Sequence, residues 1–254
     1  MKFAVVADAH VGFGASDEIL ERAIEAINLR NLEFAVFLGD MIDSSCGDEP
    51  EGLFDRFLKI SGHLRIPKRF VVGNHDLAPD FPERREAFRE EFLRKTGARS
   101  TYYSFDAGIY HFAVLDTLEV LRGAVGATGR LSGAQLEWLK SDLARLGPDT
   151  PVVILSHHPP FPADQFRIEN FNEFLEALEG YHGPSSHSCR IVAVVSGHRH
   201  FRETHVVDGI RFEVVGPLSF GLWDMKEVGY TVVELAGTEA RFIWNPLAPS
   251  PEAP

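Results

Sequence analysis

Short apolar runs alternate along this chain with segments whose apolar positions recur at helical spacing. Residues 3–7, 34–38, 70–72, 152–155 and 191–195 are continuous, rich in Val, Ile and Phe, and too short for helices. That pattern predicts strands buried on both faces. After the first run, Ile19, Leu20, Ala23, Ile24 and Ile27 form one helical stripe, with Ser16 as the expected N-cap and Asp17 and Glu18 complementing the helix dipole. Leu53, Phe54, Phe57 and Leu58 repeat the stripe, and Pro50 suits a first helical turn. Ala87, Phe88 and Phe92 share one side of the segment 83–95, which follows Pro82. The resulting β-α-β-α-β-α order predicts a parallel or mixed sheet with covering helices.

The second half opens with two strands, 101–105 and 110–115, around the turn Asp106-Ala107-Gly108. Ser132 and Gln135 have capping-box spacing ahead of a helix striped by Leu136, Leu139, Leu143 and Leu146 and ended by Gly147-Pro148. Phe171, Phe174, Leu175 and Leu178 mark another helix. Strands are predicted at 190–195, 203–207, 210–215, 229–235 and 239–244, with Asp208-Gly209 and Ala236-Gly237 as turns. The whole predicts an α/β fold, a four-layer α-β-β-α sandwich of two mixed sheets flanked by helices. Residues 1–245 form a single domain, and the Pro-rich stretch 246–254 reads as an extended or disordered tail.

With 37 acidic against 25 basic residues among 254, the net charge is -12, which disfavours a polymeric nucleic-acid partner and leaves a small anionic substrate open. The apolar run behind Met1 reaches Asp8 directly, so a secretory leader is not expected. Cys46 and Cys189 are the only cysteines, and no apolar stretch is long enough to span a bilayer. A cytoplasmic protein with no membrane partner is the expectation. Nothing in the sequence sets the oligomeric state.

Chemistry enters at the ends of the five apolar runs, where residues capable of ligating metal collect. Asp8-Ala9-His10 places two ligand types two positions apart, both expected to point one way from an extended chain while Ala9 points back. Gly39-Asp40 puts a carboxylate, able to bridge two ions, behind a glycine that permits a tight turn. In Gly73-Asn74-His75-Asp76 the amide oxygen can ligate while the imidazole stays free for proton work. Ser156-His157-His158-Pro159 offers one of two histidines. Gly197-His198-Arg199-His200 offers two more, with Arg199 expected to face solvent.

Taken in order, these motifs resemble the calcineurin-like metallophosphoesterase superfamily, whose pattern is D-x-H, G-D-x-x-D, G-N-H-D/E, H and G-H-x-H, over residues 3–200. The resemblance implies one ion held by Asp8, His10, Asp40 and His200 and another by Asp40, Asn74, His157 and His198. The two would lie about 3.5–4 Å apart with a bridging hydroxide that attacks the phosphoester. It also implies His157 rather than His158 as the ligand, though the doubled histidine leaves both open. His75 would act catalytically, stabilising the phosphoryl group or protonating the leaving alkoxide, oriented by Asp43; a turn Asp is the alternative reading of Asp43. Asn74, His75 and His158 are candidate substrate-binding residues. Two divalent transition-metal ions, manganese, iron, zinc or cobalt, suit so histidine-rich a donor set.

Residues 103–116 and 129–139 resemble one branch in particular: the bacterial class III cyclic-nucleotide and glycerophosphodiester phosphodiesterases and the manganese-dependent ADP-ribose/CDP-alcohol diphosphatases. That branch implies a small nucleotide-like or glycerol-like phosphodiester substrate, with an ADP-ribose-type diphosphatase as the alternative. A non-catalytic scaffold is a third reading, disfavoured because all seven ligands and His75 are present. Cyclic-nucleotide members often carry a C-terminal extension, whereas here only the Pro-rich stretch follows the last predicted strand, a departure that speaks against a cyclic nucleotide. The loops 121–130, 159–170 and 217–228 would choose the substrate, with Phe161, Phe166, Arg167, Phe220 and Trp223 as candidate pocket residues, although for any one of them buried packing is the favoured reading. His182, His187 and Cys189 are too irregularly spaced to predict a further metal site.

Overall fold

The computed structural model describes residues 1–46, 49–119, 126–147, 149–161, 166–182, 190–219 and 227–247. Phe220, Trp223, His187, Cys189, residues 121–125 and 220–226 of the loops 121–130 and 217–228, and positions 248–254 lie outside the described residues, as does the His182 side chain.

Strands β1 (Lys2–Val6), β2 (Ala35–Leu38) and β3 (Lys68–Val71) run parallel, and β10 (Val228–Ala236) and β11 (Glu239–Leu247) complete a sheet of order β11-β10-β1-β2-β3. The second sheet has order β4-β5-β6-β7-β9-β8, from β4 (Tyr103–Ala107), β5 (Tyr110–Val114), β6 (Val152–Leu155), β7 (Ile191–Ser196), β8 (Glu203–Val207) and β9 (Ile210–Val214). Helices α1 (Ser16–Asn28), α2 (Pro50–Ser61) and α3 (Arg85–Thr96) cover the first sheet, and α4 (Gly133–Ala144) and α5 (Phe171–His182) the second. This is the expected four-layer sandwich of two mixed sheets.

Strand alternation divides the apolar residues among three cores. Phe3 and Val5 meet Val36, Leu38, Phe112, Val114, Val153, Leu155 and Val195 between the sheets, while Ala4, Val6 and Phe37 turn towards Leu20, Ile24, Phe54 and Phe57. Ala113, Ile154 and Val194 face Leu136, Leu139, Phe174 and Leu178. Each large side chain so buried is worth roughly 1.5–3 kcal/mol, so sandwiching both sheets also explains why the central strands read as unbroken apolar runs. Phe3 stacks on Phe34 at 4.8 Å, and Phe105 on Phe112 at 4.8 Å. The Tyr103 hydroxyl of the second sheet reaches Phe70 of the first, accepting its N–H at 3.2 Å and donating to its carbonyl at 3.0 Å.

Three local expectations differ from the structure. Ser16 is the first helical residue, buried behind Ala15, and no side chain caps α1; Asp17 instead accepts from the Gly12 N–H at 3.2 Å and from Arg56. Ser132 does cap α4, accepting from the Gln135 N–H at 3.0 Å. The Gln135 amide, however, serves the Asp116 backbone (2.7 and 2.6 Å) instead of returning to the cap, so half the capping box holds the segment after β5. The last strand continues past Trp244 to Leu247 because Pro246, opposite Gly229, lies on the sheet edge, where a missing N–H is tolerated. Among the described residues no helix is long and apolar enough to cross a membrane.

An ion cluster in which His111 and Asp142 are buried and Asp106 is exposed ties the β4–β5 hairpin to α4. His111 lies 2.7 Å from Asp106 Oδ1 and 2.8 Å from Asp142 Oδ2, so both ring nitrogens face carboxylates. Burial opposes the charge on His111, but the bonds from Asp142 and Asp106 raise its pKa above the usual value. A raised histidine stabilises fully below its unfolded pKa of about 6.5, and that stabilisation is lost as pH rises through the folded pKa. His111→Ala is therefore expected to cost about 2–3 kcal/mol near pH ~6, with the deficit shrinking at about pH 10, measured by urea denaturation of both proteins. A pH-independent deficit would show that only packing was lost.

Candidate metal centre

The loops that leave β1, β2, β3, β6 and β7 meet at one end of both sheets, and their backbones are unusual there. Asp8, His10, Asp40, His198 and His200 have φ of 55°, 45°, 49°, 70° and 55°. Extended chain was expected at Asp8-Ala9-His10; the left-handed conformation replaces it. Both side chains do reach one cluster, as expected, but from left-handed turns and not from extended chain. Each left-handed residue costs roughly 1–2 kcal/mol, and such strain collects where surrounding structure fixes it. Here the fixing bonds run between loops: Asp8 N–H to the Gly39 carbonyl (3.1 Å), His10 N–H to Asp40 (2.9 Å), Leu218 N–H to Ala7 (2.7 Å) and Ser219 N–H to Asp8 (3.2 Å).

Two motif glycines are required by contact. A Cβ on Gly73 would stand 2.1 Å from the Asp40 nitrogen, and one on Gly39 would stand 2.3 Å from His157 Nδ1; Gly39 also has φ 88°. No other residue lets these loops pack so closely.

Asp8, His10, Asp40 and His200, all buried, each offer a ligand atom within 4.8 Å of the others, and Asp40, His157 and His198 do the same. Asp40 belongs to both groups. His200 Nε2 lies 3.3 Å from His10 Nε2 and 3.5 Å from Asp8 Oδ1. His157 donates from Nδ1 to the Leu38 carbonyl at 2.9 Å, which leaves the Nε2 lone pair facing Asn74 Oδ1 at 2.9 Å and Asp40 Oδ2 at 3.2 Å. Lone pairs converging in a buried space are mutually repulsive unless cations or protons lie among them. The nitrogen and oxygen donors therefore fit a binuclear divalent-metal site. His157 reaches the cluster. His158 is fully buried beside it with both ring nitrogens engaged, by Thr117 Oγ1 (2.7 Å) and the Gly126 carbonyl (2.9 Å).

Protonation follows the same geometry. Burial disfavours charge on His157, but Asp40 beside it pushes the pKa up to about 9, while His157 and His75 hold Asp40 well below the usual carboxylate range despite its burial. Burial lowers His10, and burial with His158 and His157 nearby lowers His198 further.

His75 sits at the margin, its side chain 14% exposed. Its backbone N–H donates to Asp40 Oδ1 at 2.8 Å and its Nδ1 lies 3.3 Å from Asp43 Oδ1. Burial opposes its charge, but Asp40 and the Asp43 bond raise the pKa to about 9. Asp43 makes three further contacts: Oδ2 lies 3.4 Å from His10 Nδ1, and Oδ1 accepts both the Ser45 N–H at 3.0 Å and the Ser45 hydroxyl. It is thus both a turn residue and the carboxylate between two histidines. Bonds from His10 and His75 outweigh its burial and keep it ionised well below the usual range.

Asp76 was overlooked at the sequence level. Its fully buried carboxylate accepts the N–H groups of Met41 (2.8 Å), Ile42 (3.1 Å) and Gly73 (2.8 Å), locking the Asp40 loop to the Asn74 loop. The motif placed it beside the ligands, but its partners on the other loop left no local signal. Arg199 is a correction: it does not face solvent. Its guanidinium lies over Phe201 at 4.6 Å and Phe166 at 6.0 Å and faces Glu203 at 3.3 Å, because aromatic faces and a carboxylate hold it. Phe166 stands 6.1 Å from the His198 ring, whereas Phe161 packs on Phe171 and His205.

Fold and centre together define a binuclear, metal-dependent phosphoester hydrolase. The calcineurin-like phosphoesterase model matches residues 1–202, and the chain belongs to that family. Among its relatives, a probable cyclic nucleotide phosphodiesterase of Rhodopseudomonas palustris is 28% identical over 84% of this chain and 77% of that protein. Purple acid phosphatase 15 of Arabidopsis thaliana is 30% identical over 63% of this chain, which spans only 29% of that longer protein. A dimetal phosphatase from Danio rerio superposes with a TM-score of 0.71 at 18% identity, covering 96% of this chain and 98% of the other, and so shares the fold.

Proposed function

We propose that the chain hydrolyses small phosphodiesters of nucleotide-like or glycerol-like alcohols. The carrying observation is Asp40 shared between two ligand groups, with His75 held outside both by Asp43. Asp8, His10, Asp40 and His200 would hold one ion and Asp40, Asn74, His157 and His198 the other. When bound, the ions supply Lewis acidity and a nucleophile at neutral pH. The chain's own residues do the rest. The Leu38 carbonyl fixes the His157 tautomer, and Asp43 aligns the His10 and His75 rings. His75, kept protonated by its carboxylate neighbours, hydrogen-bonds the phosphoryl group or gives its proton to the departing alkoxide. Asn74 and His75 both face the bound ester in this reading.

The diester preference is supported by charge and kinship. Asp8 and Asp40 leave a loaded centre only modestly positive, which suits a monoanionic diester better than a dianionic monoester. Three relatives at 26–28% identity bear the name cyclic nucleotide phosphodiesterase. The presence of only two cysteines supports a cytoplasmic setting for the reaction. A panel of 2′,3′- and 3′,5′-cyclic nucleotides, glycerophosphodiesters, ADP-ribose and monoesters, each with manganese, zinc, iron and magnesium, tests the reading. Diesters are expected to give the highest kcat/KM. Dominant cleavage of ADP-ribose would move the assignment to a diphosphatase, and dominant monoester cleavage would overturn it.

A further inference from the structure

His158 adjoins the ligand group but its environment is not that of a substrate contact. It is fully buried, its ring lies 4.1 Å from that of His198, and Nε2 stands 2.9 Å from the Gly126 carbonyl. A carbonyl only accepts, so Nε2 carries the hydrogen and Nδ1 accepts from Thr117 Oγ1 at 2.7 Å. The next carbonyl along, that of Ala127, lies 2.9 Å from His198 Nε2. By the same rule His198 donates there, and its Nδ1 is left with the free lone pair. Two histidines from different loops thus grip successive carbonyls of one strap. The strap is fastened beyond them by Gly129 N–H to the Arg167 carbonyl (3.0 Å) and Arg130 N–H to Thr117 (2.8 Å). A Cβ on Gly129 would stand 2.5 Å from the Thr117 carbonyl, so the strap lies tight against the residue that orients His158.

We infer that His158 is a positioning residue for the second metal site: through Gly126 it sets the strap whose Ala127 carbonyl fixes the tautomer and ring orientation of His198. The inference rests on the reading above, in which His198 holds an ion. Outer groups that orient a metal-bound histidine typically carry 10–100-fold in affinity, about the effect sought here.

Manganese titration of the metal-free full chain, followed by calorimetry and by the spin-coupled EPR signal of a two-manganese pair, tests it. His158→Ala is expected to weaken the second binding step about 10–100-fold while sparing the first, and to lose the coupled signal at two equivalents. His158→Gln, whose amide can still donate to Gly126, is expected to recover most of that affinity. Thr117→Val, which perturbs the tautomer without removing the ring, is expected to show a smaller loss at the same step and guards against a misfolded alanine variant. Unchanged second-step affinity in His158→Ala, or equal weakening of both steps in all three variants, would overturn the inference while the wild type still binds two ions. A wild type that binds only one manganese would instead overturn the binuclear reading, and the inference with it.

Discussion

Asp40→Ala is expected to abolish the paired centre. Its carboxylate stands in both ligand groups, with Oδ2 3.7 Å from His10 Nε2 and 3.2 Å from His157 Nε2, while Oδ1 accepts the His75 N–H. Removing it takes a shared ligand from two sites, uncouples His75 from the cluster and leaves the imidazoles to bind metal alone. Metal analysis after dialysis should find the variant depleted. Turnover should fall by more than the 10²–10³-fold or so that loss of one transition-state donor costs. Asp40→Asn separates charge from shape: it preserves volume and an acceptor for His75, and is still expected to lose the second ion because an amide cannot bridge as a carboxylate does. Retention of both ions and of turnover in either variant would show that the cluster is not the reaction centre.

His75→Ala should behave differently, keeping its metals and losing rate. His75 stands outside the two groups that share Asp40, and each of those keeps all its ligand atoms without it; the group His75 does join, with His10 and Asp43, lacks Asp40. The expected loss in kcat is about 10²–10⁴-fold, the usual worth of a positioned acid. It should be larger for diesters with an alkyl alcohol leaving group than for 4-nitrophenyl esters, whose phenolate departs without a proton. An equal loss on both substrates would assign His75 to phosphoryl stabilisation alone, and unchanged turnover on both would remove it from the reaction.

Much of this centre was readable before any coordinates. Strands buried on both faces read as unbroken apolar runs, and a ligand directly behind such a run lies at the end of a sheet. Asp8, Asp40, Asn74, His157 and His198 could therefore be placed near one another from spacing and order. The two-sheet arrangement also followed, since the helical stripes alternate with strands in both halves. What spacing could not show is backbone conformation at non-glycine residues. The left-handed turns at His10 and His198 are held by bonds from neighbouring loops, to the Asp40 carbonyl and the Asp8 carboxylate, and those partners are remote in sequence. Asp76 went unseen for the same reason, its bonds to Met41 and Ile42 spanning 35 and 34 positions. Gln135 shows the converse failure: a correct local signal, with the side chain diverted by the backbone of Asp116. Arg199 was assigned to solvent by alternation alone, which carried no knowledge of Phe166 and Phe201.

The contact between Tyr103 and Phe70 bears on how an edge strand is covered. β3 ends its sheet, and Phe70 turns its donor and acceptor outward, away from β2. An uncovered pair of that kind is a template for another chain to extend the sheet. One phenol, answering both groups at once, does what a neighbouring strand would do. At Phe70, beside the Asn74 loop, the edge of the first sheet is thus bonded to its own partner sheet and not left open.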